Sequence, residues 1–296
     1  MQKEKTLKFW DDFYEKESQS NATEWIVQPS EEILQSIVKY LLKIPKKDNV
    51  VNGNHKHSIL EIGAGNSTFS LQLWEYLQNN NSAEVNMLAT DVSSICILQN
   101  SERDKERILQ SSFGSFNYEI LNVLEPPSPS HKMSGIYDIV LDKGCCDTFL
   151  FRSEKTKSGS HSPLLKTLFD NIHTWLTPGG VYIIFSPRSR IKAARDFVGF
   201  SSVERIKLDS DNNQIGALDG KAENNDVVYM HVCTKNDAYA RGDNVAFRNL
   251  IKVVMEDERC TKCGISFVDF RKGEDIVGKG VNYWGRRWRG HLTHCK

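Results

Sequence analysis

The sequence predicts an α/β protein built on a Rossmann-like, doubly wound sheet of seven strands, mostly parallel and finished by an antiparallel hairpin. Three observations carry that reading. Between residues 56 and 186 short apolar runs alternate with helix-like stretches, the pattern of a parallel sheet with crossover helices. A glycine-rich turn, LEIGAGNS (60–67), joins the first of those runs to an amphipathic stretch. Two late apolar runs, FSSVERIKL and DVVYMHVCTK, are separated only by the polar segment 209–226. That segment has no helical pattern and reads as a long hairpin loop.

Each element follows from its local pattern. SEEILQSIVKYLLKI reads as a helix that Ser30 can cap, with Ile33, Ile37, Leu41 and Leu42 on its apolar face. HSILEIGAG is a strand, STFSLQLWEYLQ a helix, VNMLATDV a second strand and ICILQNSERDKERILQ a second crossover helix. NYEILNVLE and GIYDIVLDKG follow as strands, then LLKTLFDNIHTWL as a helix and GGVYIIFSP as the fifth strand. KKDNVVNGNHKH and SEKTKSGSHS are polar loops. His173 and His231 fall inside apolar patterns and read as core or edge residues. Adjacent Cys145 and Cys146 read as small loop residues, because neighbouring cysteines close only a strained ring.

The chain has 296 residues, 38 basic and 38 acidic, with seven cysteines. An odd cysteine count at this length is not the layout of a secreted disulfide scaffold. The opening MQKEKTLKFWDDFYEKES has no apolar signal region and carries Asp11, Asp12 and Glu15, unlike an acid-poor transit peptide. The expected compartment is therefore the cytoplasm, with the nucleus second. Apolar runs such as VYIIF (181–185) are far too short to span a bilayer, so no membrane partner is expected.

A strand–glycine–helix turn turns backbone N–H groups towards an anionic ligand. The dinucleotide fingerprint asks for three glycines; here Gly63 and Gly65 stand in place and Thr68 occupies the third position. Asp91 ends the second strand, where an acid accepts hydrogen bonds from both ribose hydroxyls. This set suits S-adenosylmethionine at least as well as NAD. An amino-acid carboxylate would meet the turn, and Glu61 would face the methionine ammonium.

Three segments in order, FWDDFYEKESQSNATEW (9–25), LEIGAGNSTFSLQL (60–73) and VLDKGCCDTFLF (140–151), carry a resemblance. Together they resemble the seven-β-strand S-adenosylmethionine-dependent methyltransferases, in particular the elongation factor 1A lysine methyltransferases and the citrate synthase lysine methyltransferase. The resemblance covers about residues 8 to 235. The expected division is an N-terminal lid segment over 1–45, a methyltransferase domain over 46–236 and, not explained by the resemblance, a basic zinc-binding module over 237–296. The implied reaction is methyl transfer to a lysine of a protein, such as a translation factor. Asp142 would border the cofactor, Lys143 and Gly144 would begin the acceptor wall, and Asp147 would orient the acceptor or hold the loop. Asn66 in the turn, Asn122 after the third strand and its neighbour Val123 complete the expected cofactor contacts. Asn122 stands where many such enzymes place an acid for the adenine amine. Trp10, Tyr14 and Trp25 are expected to fold over the cofactor, with core packing the alternative.

Charge is uneven. Residues 259–296 carry nine Lys and Arg against three Asp and Glu, a net of +6. In the same stretch Cys260-x2-Cys263 and His291-x3-Cys295 supply three sulfurs and a nitrogen, the donor set of a tetrahedral Zn²⁺ site. The alternative is an unstructured basic tail. VNYWGRRWRGH interleaves aromatic and basic residues, as nucleic-acid binders do. The second functional reading is therefore an RNA methyltransferase whose zinc module grips its substrate; docking on an acidic protein suits the same composition.

Overall fold

Alternation along the strands decides which helix covers which face. In the computed structural model, residues 2–17, 24–44, 56–80, 84–111, 114–125, 134–153, 163–208 and 227–237 are described. Seven strands form one sheet: β1 (Lys56–Ile62), β2 (Glu84–Asp91), β3 (Ser115–Ile120), β4 (Tyr137–Lys143), β5 (Leu176–Ser186), β6 (Phe200–Leu208) and β7 (Val228–Lys235), in the order β3-β2-β1-β4-β5-β7-β6. β1 runs parallel to both β2 and β4, while β7 pairs antiparallel with β5 and β6. This is the predicted mixed sheet. Its order reverses between β1 and β4, so a crevice opens outside the carboxyl ends of those two strands.

Ile59, Ile139, Leu141, Ile183 and Phe185 face one core, together with α2 (Glu31–Leu41) and α3 (Phe69–Asn80). Leu60, Ile62, Val140, Tyr182 and Ile184 face the other, with α5 (Cys145–Ser153), α6 (Pro163–Trp175) and α7 (Lys192–Asp196). Successive residues thus point to opposite faces, and both faces are covered, as a parallel sheet requires. Val27, Ile33, Ile37, Leu41 and Ile44 share the first core, so the N-terminal segment is part of the packed body. α4 (Ser94–Leu109) lies along β2 and β3, and α1 (Gln2–Glu17) lies on α4.

Four local expectations change. Leu42 is 61% exposed, because the helix ends at Leu41 and Leu42 is its C-cap; Leu34 and Tyr40 fill the face instead. Ser30 has the extended N-cap backbone but makes no side-chain cap bond. β3 begins two residues before NYEIL and stops at Ile120, because Asn122 folds LNVLE into a turn. Cys145 and Cys146 open α5 rather than a loop: the Asp142 carboxylate accepts the Cys146 N–H, at 3.2 Å to Oδ1 and 3.0 Å to Oδ2, and starts the helix. His173 and His231 are buried, each with Nε2 on a backbone carbonyl, of Asn236 and Arg188 respectively.

Candidate active site

The turn after β1 lies at this crevice. Gly63 and Gly65 adopt φ of +60° and +59°, conformations that an L side chain strains. A Cβ on Gly63 would lie 2.8 Å from Cys145 Cβ, and one on Gly65 would lie 3.0 Å from the Tyr14 hydroxyl. The Gly65 N–H donates to Asp91 Oδ2 at 3.0 Å and the Ser93 N–H to Oδ1 at 3.0 Å. Burial pushes the Asp91 carboxyl up, and the Ser93, Gly65 and Val92 N–H groups pull it back. A carboxylate offers about four acceptor positions, so capacity remains for a ligand hydroxyl.

Beside the turn lies a buried charge cluster. Ser70 Oγ donates to Glu61 Oε2, while Glu61 Oε1 is buried without a hydrogen-bond partner among the described residues. Burial raises the Glu61 carboxyl to about 7, against the opposing pull of Lys143. Lys143 Nζ lies 3.4 Å from Glu24 Oε2 and 3.9 Å from Glu61 Oε1, with its side chain only 1% exposed. It also stands 5.5 Å from the Phe69 ring centroid. Lys143 is thus turned inward rather than forming an acceptor wall. Glu24 accepts from Ser67 Oγ (2.6 Å), Thr68 N–H (2.8 Å) and Thr68 Oγ1 (3.1 Å). It thereby places a carboxylate just before α3 and ties the N-terminal segment to the turn. Glu24 was not expected in the site, although it directly precedes Trp25 in the segment 9–25.

The aromatic residues converge above the turn. Trp10 stacks on Tyr14 at 6.0 Å and 24°, and meets Trp25 edge-on at 6.2 Å. Phe13, not among the residues expected over the cofactor, contacts both Tyr14 (5.2 Å) and Trp25 (5.4 Å). Asp11 accepts the Ser93 hydroxyl at 2.6 Å, and Gln99 donates to the Tyr14 carbonyl at 3.3 Å. These bonds fix α1 over α4 with its rings at the crevice. Trp25 Nε1 is buried without a partner among the described residues.

On the β4 side Asp142 is fully buried and accepts the Tyr182 hydroxyl at 2.6 Å as well as the Cys146 N–H. Burial raises it to about 7. It lies at the strand end, hydrogen-bonded to α5 and β5. Asp147 accepts from Ser186 Oγ at 2.9 Å, and Arg188 Nε lies 3.3 Å from the same Oδ1. Asp147 Oδ2 is buried and has no hydrogen-bond partner among the described residues. Ser186, the last residue of β5, and Arg188, two residues beyond it, were not anticipated. The Asn122 side-chain oxygen accepts the Leu124 N–H at 3.1 Å and its amide donates to Glu125 at 3.0 Å, so both its polar atoms serve the turn. Val123 is buried, and its carbonyl accepts from Asn171 at 2.8 Å. Asn66 is buried within the glycine turn. Burial raises both the Cys145 and Cys146 thiols well above their ordinary value, which suppresses thiolate chemistry.

An amino acid–nucleoside cofactor fits these residues: a buried Glu61 oxygen with no hydrogen-bond donor among the described residues for an ammonium, two glycines at positive φ for close backbone approach, and Asp91 for a sugar. Cys260, Cys263, His291 and Cys295, expected to hold zinc, lie outside the described residues. Among the described residues no helix is long and apolar enough to cross a membrane.

No protein-family model matches the chain, and no curated protein matches it. Solved structures do. The CMeT domain of the citrinin polyketide synthase is 17% identical, with a TM-score of 0.45 over 68% of this chain and 49% of that one. A protein described for the conversion of a disulfide bond into a thioacetal group during echinomycin biosynthesis is 13% identical, with a TM-score of 0.48 over 84% and 98%. A chain from the complex of the Haloferax volcanii Trm112 methyltransferase activator with a methyltransferase is 10% identical, with a TM-score of 0.44 over 69% and 90%. The chain spans about half the length of the first two solved structures it matches, 49% and 53%.

Proposed function

We propose that this chain is an S-adenosylmethionine-dependent methyltransferase that methylates the side-chain amine of a lysine in a protein substrate, with translation factors the first class to test. The observation that best supports the cofactor is the Glu61 oxygen that has no hydrogen-bond donor among the described residues, 3.9 Å from Lys143 and beside the Gly63–Gly65 turn and Asp91. In this reading Glu61 holds the methionine ammonium, the turn N–H groups hold its carboxylate, and Asp91 holds the ribose. When bound, the cofactor supplies a methyl group on a cationic sulfur: a carbon–nitrogen bond forms as the carbon–sulfur bond breaks, and a proton leaves the nitrogen. The chain's task is alignment and exclusion of water, which the Trp10, Phe13, Tyr14 and Trp25 cluster serves.

A cationic acceptor is favoured by Asp147 Oδ2, which has no hydrogen-bond partner among the described residues. It can accept a hydrogen bond from an amine. The described cysteines Cys96, Cys145, Cys146 and Cys233 are free thiols, which suits a reducing, cytoplasmic setting. The C-terminal Cys260, Cys263, His291 and Cys295 set is proposed to bind structural zinc and to dock the substrate.

The test is incubation of the protein with cell lysate and methyl-labelled cofactor, followed by separate protease and ribonuclease digestion. Label lost to protease and untouched by ribonuclease is expected. Label that survives protease and disappears with ribonuclease overturns the lysine assignment in favour of RNA.

A further inference from the structure

The glycine turn presents three successive carbonyls to a single helix. Asn100 Nδ2 donates to the Gly65 carbonyl at 2.6 Å. Arg103 Nη1 donates to that of Asn66 at 2.8 Å and Nη2 to that of Ser67 at 3.2 Å. Both donors stand on α4, one turn apart. The guanidinium is itself fixed. Its Nε lies 2.9 Å from Asp104 Oδ1 and its Nη2 2.6 Å from Oδ2. Asp104 is buried and also accepts the Tyr118 hydroxyl from β3 at 2.5 Å. A continuous hydrogen-bonded chain therefore runs from β3 through α4 to the turn.

The peptides of the turn are trans. In a trans peptide the carbonyl and the following N–H point in opposite directions. Carbonyls held against α4 therefore send the N–H groups of Asn66, Ser67 and Thr68 the other way. The Thr68 N–H does so, reaching Glu24 across the turn at 2.8 Å. The turn is also tied to β2, by the Ala64 N–H to Thr90 carbonyl bond (2.8 Å) and the Gly65 N–H to Asp91 bond.

We infer that Asn100 and Arg103 are positioning residues that aim the Asn66 and Ser67 N–H groups at the carboxylate end of the ligand. The inference rests on the cofactor reading above. These residues govern affinity for the amino-acid end of the cofactor and leave recognition of its nucleoside end to Asp91.

Calorimetry with two probes tests this on the full chain: S-adenosylhomocysteine, which carries the amino-acid end, and 5′-methylthioadenosine, which lacks it. Arg103→Lys keeps a cation beside Asp104 but cannot span both carbonyls. It should weaken S-adenosylhomocysteine about tenfold and leave 5′-methylthioadenosine within about twofold, the loss of a hydrogen bond or two to a charged group. Arg103→Met should show the same selectivity with a larger loss. Equal weakening of both probes, or of neither, overturns the positioning role while the cofactor reading stands. Wild-type protein that binds neither probe overturns the cofactor reading and this inference with it.

Discussion

Replacing Lys143 with Met exposes the energetics of the site. The ammonium is buried between Glu24 and Glu61 at 3.4 and 3.9 Å, so its removal strands two carboxylates in a dry environment. Breaking a buried pair in this way costs about 3–5 kcal/mol. At about 2–4 °C per kcal/mol for a domain of this size, melting should fall by roughly 6–20 °C. The pH dependence follows from Glu61, whose folded carboxyl stands at about 7 against an ordinary 4.5. A raised acid binds its proton more tightly when folded, so the native state loses stability as pH rises from about 4.5 to 7, by about 3 kcal/mol in all. Lys143 is the strongest influence pulling that carboxyl down. Without it the loss continues above pH 7. The gap between variant and wild type in thermal melts followed by circular dichroism should therefore be wider at pH 8 than at pH 5.5. Glu61→Gln in the Lys143→Met background should narrow it. A gap of under about 2 °C at pH 8, below one kcal/mol, or one equal at both pH values, would refute the reasoning.

Other outcomes follow from single contacts. Gly65→Ala places a Cβ 3.0 Å from the Tyr14 hydroxyl at a φ of +59°; it should cost about 1–2 kcal/mol and shift the tryptophan fluorescence of the Trp10–Trp25 cluster. Tyr182→Phe removes the 2.6 Å bond to fully buried Asp142 and should lower the urea unfolding free energy by about 1–3 kcal/mol. S-adenosylhomocysteine affinity should rise as pH passes upward through about 7, where Glu61 ionises to meet the ligand ammonium; in Glu61→Gln a calorimetric series should be flat. Cys260→Ser with Cys263→Ser should lose one equivalent of zinc by metal analysis, and unchanged content would remove that site.

Strand alternation and the glycine turn made the sheet legible, because periodicity and φ > 0 requirements are local signals. The hairpin β6–β7 was legible for the same reason. What the sequence hid depends on contacts between distant segments. Glu24 meets Thr68 across 44 residues, and Lys143 turns inward only because Glu24 and Glu61 wait there. Asn100 and Arg103 looked like ordinary residues of a charged helix; only the crossover that lays α4 beside the turn gives them its carbonyls. Asn122 illustrates the converse, since an amide that suits adenine equally suits the local turn, where its oxygen accepts the Leu124 N–H and its amide donates to Glu125. Asp142 read as a crevice residue by its place at the strand end, yet the N-terminus of α5 and the Tyr182 hydroxyl satisfy it from within.

The central claim is that the carboxyl edge of β1 and β2 binds a nucleoside sulfonium cofactor. Titration calorimetry of S-adenosylhomocysteine into wild-type protein and Asp91→Asn tests it most directly. The account predicts one site in the wild type and at least about tenfold weaker binding in the variant, the loss of a charge-assisted hydrogen bond. Absence of binding heat from folded wild-type protein, or undiminished affinity in Asp91→Asn, would contradict it.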